Sequence, residues 1–155
     1  MAQTPGGTPV LPQQSLQLVA VLPDFATAYA RALRDKKPLV MFFYDKSSFS
    51  EKEREELQQL RADPIFSQVF LFGESSLPED QLGFKAATRL TIKFLPAISI
   101  FESNSSELKE LSRHEGVWTV AELRKQMSED MCHAFETHRV DLDGWTLFIL
   151  GCPTR

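Results

Sequence analysis

Residues 38 to 44 read PLVMFFY, with no polar side chain between the proline and the tyrosine. A strand with one face in water alternates apolar and polar residues. An unbroken apolar run between RDKK and DKSS instead suits a central strand buried on both faces. Such a strand needs neighbouring strands at its sides and apolar layers above and below, so the remainder of the chain must supply them. With 155 residues, 43% of them hydrophobic, the chain is long enough for one core of that kind.

The flanking segments read as alternating helices and strands. Residues 1–14, rich in Pro, Gly, Gln and Thr, form a flexible leader, and SLQLVAVL at 15–22 a first strand. Asp24 caps a helix whose core stripe is Phe25, Ala28, Tyr29, Ala32 and Leu33. Ser50 and Glu53 match a capping box for a charged helix over about 50–61, largely solvated, which ADP at 62–64 stops. VFLFG at 69–73 reads as a third strand, and SSLPED opens a helix through about Leu90. FLPAISIF at 94–101 is a strand with a proline near its start, followed by the turn ESNSS and a weaker strand, ELKELSRH, at 107–114. Gly116 breaks the chain before a second capping box, Thr119 to Glu122. The last long helix turns Val120, Leu123, Met127, Met131 and Phe135 inward. DLDG at 141–144 is a turn, and WTLFIL at 145–150 an extra strand or a docking segment. One domain over 15–138 with an extension over 139–155 is expected.

Charge and motif content narrow the chemistry. A formal net charge of -4 and the lack of any Lys/Arg run argue against a nucleic-acid partner. No segment has the basic and apolar regions of a secretory signal or the length of a membrane span, so no membrane partner and a cytoplasmic location are expected. In a reducing compartment Cys132 and Cys152 are read as ordinary thiols. A pair stays open should the 145–150 run fold back along the last helix. His114, His133 and His138 have no chelating spacing and are read as solvated, so neither a metal nor another cofactor is expected.

The order β-α-β-α-β-α-β-β-α resembles the thioredoxin fold, over residues 24 to about 130. Three stretches carry the likeness. KPLVMFFYDKSSFSEKER is similar to that family's strand, active-site turn and helix; AATRLTIKFLPAISIF is similar to its helix, loop and cis-proline strand; Gly116 stands where the last strand yields to the last helix. The resemblance implies an α/β, thioredoxin-like three-layer α/β/α sandwich with a central mixed sheet and a C-terminal extension.

It also implies a site with its reagent missing. Ser47 and Ser50 fall on the two positions that are cysteine in redox-active members, with Ser48 and Phe49 between them. The partial positive charge of a helix N-terminus stabilises a thiolate but cannot populate a serine alkoxide. Met41 stands where active members bury an acid in the preceding strand, and Ala97 follows Pro96, expected cis, where threonine is frequent. The expectation is a non-catalytic module, an assembly factor, chaperone or adaptor. Tyr44, Ser47, Ser48, Phe49, Ser50, Leu95, Pro96 and Ala97 would bind a peptide segment of another protein. The alternative is a thiol-dependent transferase or reductase using Ser47 or the Cys132/Cys152 pair. Serine capping and a turn proline explain the same residues without any ligand.

Overall fold

The apolar run forms β1 (Leu39–Tyr44), whose residues are buried from Leu39 to Phe43 and half-buried at Tyr44. A computed structural model describes residues 22–47, 51–102 and 109–153. Around β1 the chain folds in the order α1 (Phe25–Asp35), β1, α2 (Glu51–Ala62), α3 (Pro64–Val69), β2 (Leu71–Ser76), α4 (Gln81–Arg89), β3 (Ala97–Phe101), β4 (Glu110–Glu115), α5 (Val120–Glu136) and α6 (Gly144–Leu150). The sheet order is β2-β1-β3-β4. β1 runs parallel to β2 and antiparallel to β3, and β3 is antiparallel to β4. The expected leader and the first strand lie outside the described residues except for Leu22, as do Ser50 of the first capping box and 103–106 of the ESNSS turn.

Alternation along β1 builds both layers. Val40 and Phe42 face a cluster with Leu57 and Leu60 of α2, Phe66 and Val69 of α3, Leu123 and Met127 of α5, and Leu150 of α6. Leu39, Met41 and Phe43 face the other side, against Phe25, Ala28 and Ala32 of α1, Ala86 and Ala87 of α4, and Phe101 of β3. The second layer packs closely: a Cβ on Gly73 would sit 2.6 Å from Ala28 Cβ and 2.7 Å from Met41 Sδ. Each side chain taken from water in this way contributes about 1.5–3 kcal/mol.

Several boundaries differ from the sequence expectation. Residues 64–69 are helical, because the Asp63 carboxylate accepts from Ile65 N and Phe66 N and Pro64 begins a new turn. The strand expected at 69–73 therefore starts at Leu71 and extends through Ser76. β3 starts at Ala97 and β4 spans Glu110–Glu115. On the last helix Leu123, Met127 and Met131 are buried as expected, joined by Cys132 and Ala134. The charged helix is not solvated throughout, since Glu53, Leu57 and Leu60 are buried and Arg54 forms a two-pronged ion pair with Glu74. His114 is only partly solvated: it is half-buried, its ring is hydrogen-bonded with Gln126 Oε1 and Val117 O, and it packs edge-on to Trp118.

The largest correction concerns the tail. WTLFIL is helix, not strand: Asp143 accepts from Thr146 N at 2.7 Å to start it, and Gly151, at φ 75°, ends it. Cys132 and Cys152 are joined in a disulfide rather than left as thiols, because α6 folds back onto the core and carries Cys152 to α5.

Two polar clusters fix what borders β1. Asp80 caps α4 through Gly83 N and also accepts from Phe25 N of α1 and from Ser75 Oγ, a fully buried hydroxyl on β2. A Cβ at Gly83 would land on that Ser75 oxygen. Arg113 of β4 donates to Glu110, to Glu115 and to Leu90 O at the end of α4. Glu115 accepts in turn from Lys93 N and Phe94 N, so its carboxylate holds the loop ahead of Pro96. Burial pushes the Glu115 carboxyl up, but Arg113 and the two backbone N–H groups outweigh it and leave it below the ordinary glutamate range.

Alanine normally stabilises a helix relative to glycine. Gly83→Ala is nevertheless expected to lower stability in urea unfolding by about 1–3 kcal/mol, and Asp80→Ala by about 3 kcal/mol. Glu115→Ala should speed amide exchange at Lys93 and Phe94. Because its folded carboxyl is lowered, the stabilisation from Glu115 is complete above the ordinary glutamate range and disappears as pH falls through the lowered value. Protection factors at Phe94, corrected for intrinsic exchange, should therefore drop on acidification in the native chain and not in the alanine variant.

Candidate functional site

β1 and β2 are parallel and end side by side, Tyr44 opposite Ser76. Loops leaving the carboxyl ends of parallel strands diverge and leave a crevice, the usual ligand position in open α/β sheets. Here a hollow of about 340 Å³ opens beside those ends. Asp45 from the turn after β1 borders it, with Leu77 and Pro78 from the loop after β2. Phe84, Ala87 and Thr88 of α4 form one wall, and Ile92 and Leu95 of the loop before β3 form another. The walls are mainly apolar. Phe84 is 47% exposed, so aromatic surface stands open to solvent at this rim.

The expected site residues are only partly gathered here. Leu95 lines the hollow and is half-buried, and its bond to Pro96 is cis, as the resemblance implied. Tyr44 stacks on Phe42 at the end of β1, with ring centroids 5.1 Å apart. Ala97 is fully buried and pairs across to Phe43, so its side chain is core. The Pro96 carbonyl accepts from Gly116 N at 2.8 Å. Ser47 is exposed and donates to Asp45 Oδ1 at 2.8 Å. Ser48, Phe49 and Ser50 lie outside the described residues. Met41 is wholly buried in the α1/α4 layer.

Ser47 has a carboxylate as its hydrogen-bond partner among the described residues, and a carboxylate is too weak a base to make an alcohol nucleophilic. Glu51 and Glu53 in the first turn of α2 oppose an anionic ligand at that helix terminus. Sequence reasoning missed the wall from α4 and the Leu77-Pro78 bond, also cis. The signal for the wall was Phe84, a large apolar residue off the buried stripe of Gly83, Ala86 and Ala87.

The disulfide lies elsewhere, at a larger open cavity of about 820 Å³. Phe135, Val140 and Leu147 line it along with both half-cystines. Glu102, Glu136 and Asp141 contribute carboxylates, against Arg139 and His138. Cys132 sits toward the C-terminal end of α5, where the helix dipole is negative.

No protein-family model matches the chain, and no curated protein matches it. Solved structures do. A thioredoxin from Thermus thermophilus is 18% identical, with a TM-score of 0.55 over 74% of this chain and 88% of that one. The germline-specific thioredoxin Deadhead of Drosophila melanogaster is 14% identical, with a TM-score of 0.53 over 70% and 96%. The oxidoreductase DsbH is 15% identical, with a TM-score of 0.51 over 73% and 88%. At such identities the likeness is one of fold. Together with the mixed sheet, four strands of it among the described residues, between two helical layers, it shows that this chain has the thioredoxin-like α/β fold.

Proposed function

We propose that this chain is a non-catalytic, thioredoxin-like protein-binding module whose ligand is a peptide segment of another protein, held at the carboxyl ends of β1 and β2. The observation that carries this reading is the apolar hollow of about 340 Å³ between Asp45 and Leu95. Pockets with apolar walls and few polar groups are the commonest recognition sites. An extended segment would lie along Leu95 and Pro96 and seat a side chain between Leu77, Phe84 and Ile92, with Tyr44 and Ser47 at its flank. The hydroxyl at Ser47 and the thioether at Met41 favour binding without thiol exchange, since neither supplies a nucleophile or a proton carrier near neutral pH.

The closed Cys132–Cys152 bond is the one observation that favours the alternative, a thiol-disulfide enzyme using that pair. Its surroundings argue for a staple instead. Reactive cysteines are acidified by helix N-termini or cations. Here a helix C-terminal end and three carboxylates oppose the thiolate form, with Arg139 as the nearby fixed cation. The bond also runs against the expectation of free thiols in a reducing compartment, because disulfides persist mainly in oxidising compartments. No helix among the described residues is long and apolar enough to cross a membrane.

Peptides selected from a random library should perturb the backbone amide resonances of Phe84, Thr88 and Leu95. Phe84→Asp, a change at a half-exposed position, should weaken them by more than about tenfold, the range of a central apolar anchor. Perturbations confined to the Cys132–Cys152 cavity would overturn the placement. The chain should not accelerate insulin reduction. Activity present in the native chain and absent from a Cys132→Ser, Cys152→Ser variant would install the enzyme reading. That variant should instead lose about 3 kcal/mol in urea unfolding, as expected for the 20-residue separation of the cysteines.

A further inference from the structure

We propose that the Cys132–Cys152 disulfide is a redox latch: a dithiol that reduces it releases α6 from the molecule while the sheet and the other helices stay folded. The proposal is independent of the peptide-binding reading and adds a conformational switch at the second cavity.

Apart from the bond, the hold on α6 is slight. Gly144–Leu150 has seven residues, and so short a helix is marginal in water unless packing retains it. Leu150 is its buried residue, Leu147 and Ile149 pack half-buried against the same core layer, and Trp145 and Phe148 stand open to solvent. Val140 and Leu142, also half-buried, lie in the stretch that leads to it. Among the described residues, the hydrogen bond that joins α6 to another element is Trp145 Nε1 to Gln68 Oε1 of α3, exposed and long at 3.3 Å, and no ion pair reaches it. Upstream, the Arg139 side chain donates to Glu110 O of β4 and its backbone N–H to Ala134 O, so the chain is fixed to the core as far as residue 139. Beyond that point the buried members of the layer are Leu150 and Cys152, and its remainder comes from elements earlier in the chain. Opening the bond therefore loosens a terminal unit and leaves the core its own contacts, the pattern of sub-global unfolding.

The chemistry is thiol–disulfide exchange. A thiolate of the reductant attacks one half-cystine sulfur, the Cys132–Cys152 bond breaks, and the departing cysteine takes a proton. The reductant's second thiol then displaces the other cysteine from the mixed disulfide. The chain gains two electrons and two protons as two thiols, and the reductant leaves as its own disulfide. Both half-cystines line the open cavity of about 820 Å³, which is wide enough for a small dithiol. The negative end of α5 and the Glu102 and Asp141 carboxylates keep the freed thiols protonated and so slow to close again. The pair switches once per reduction rather than turning over as a catalyst does.

The experiment treats the full chain with millimolar dithiothreitol in the absence of denaturant and follows amide hydrogen exchange, with mass spectrometry after alkylation to count the freed thiols. Both cysteines of the chain should be alkylated. Protection at the Leu147 and Cys152 amides, which donate to Asp143 O and Leu147 O, should fall by about tenfold or more, while that at Val40 to Phe43 of β1 changes by less than about twofold. A Cys132→Ser, Cys152→Ser variant should show the same exchange pattern without reductant and no response to it. A bond that dithiothreitol opens only in denaturant, protection of α6 that survives reduction, or loss of protection in β1 together with α6 would each overturn the latch.

Discussion

Phe42 and Phe43 are neighbours in the chain and lie on opposite sides of the sheet, each fully buried. That single alternation commits β1 to two cores at once. Phe42 meets Trp118 edge-on at 5.5 Å, and Phe43 meets Phe25 of α1 at 6.4 Å, so aromatic contacts tie the central strand to both of its sides. Neither layer could shift its register without driving the other out of place, because a one-residue slip of a strand exchanges its faces. The position of the turn after Tyr44, and so of Asp45 and Ser47, follows from this constraint.

The hollow owes its shape to groups that do not line it, apart from the β1 turn. Asp80 draws α1, β2 and α4 together, and Gly83 lets α4 approach Ser75 more closely than any side chain would permit. From the other side Arg113 and Glu115 grip the end of α4 and the loop through Phe94. The two walls are thus set by buried or half-buried polar contacts, while the surface between them stays apolar. A rigid frame around an open apolar surface lowers the ordering cost of binding.

How much of this was legible in the sequence depended on whether the pattern had a period. The PLVMFFY run, the Asp24 cap and the Thr119–Glu122 capping box were readable because each leaves a local mark, and the structure has all of them. The helix over residues 64–69 was hidden because it is short and followed directly by a strand of similar composition. WTLFIL misled for a related reason: apolar on nearly every side, it carries no helical period, and only the Asp143 cap and Gly151 reveal what it is. For the hollow, the Leu95-Pro96 loop was read through the resemblance, while Ser48, Phe49 and Ser50 of the expected turn lie outside the described residues. Phe84 and Leu77 were not read, since a wall assembled from α4 and a loop after β2 exists only once Asp80 has joined them.

The fold-back of α6 places the two tryptophans in opposite surroundings, Trp118 at 2% exposure and Trp145 at 61%. Their emission should differ in colour, with the buried indole bluer and the solvated one redder and open to collisional quenchers. Loosening of the stapled tail and melting of the β1 core would therefore register as separate optical events in the unlabelled chain.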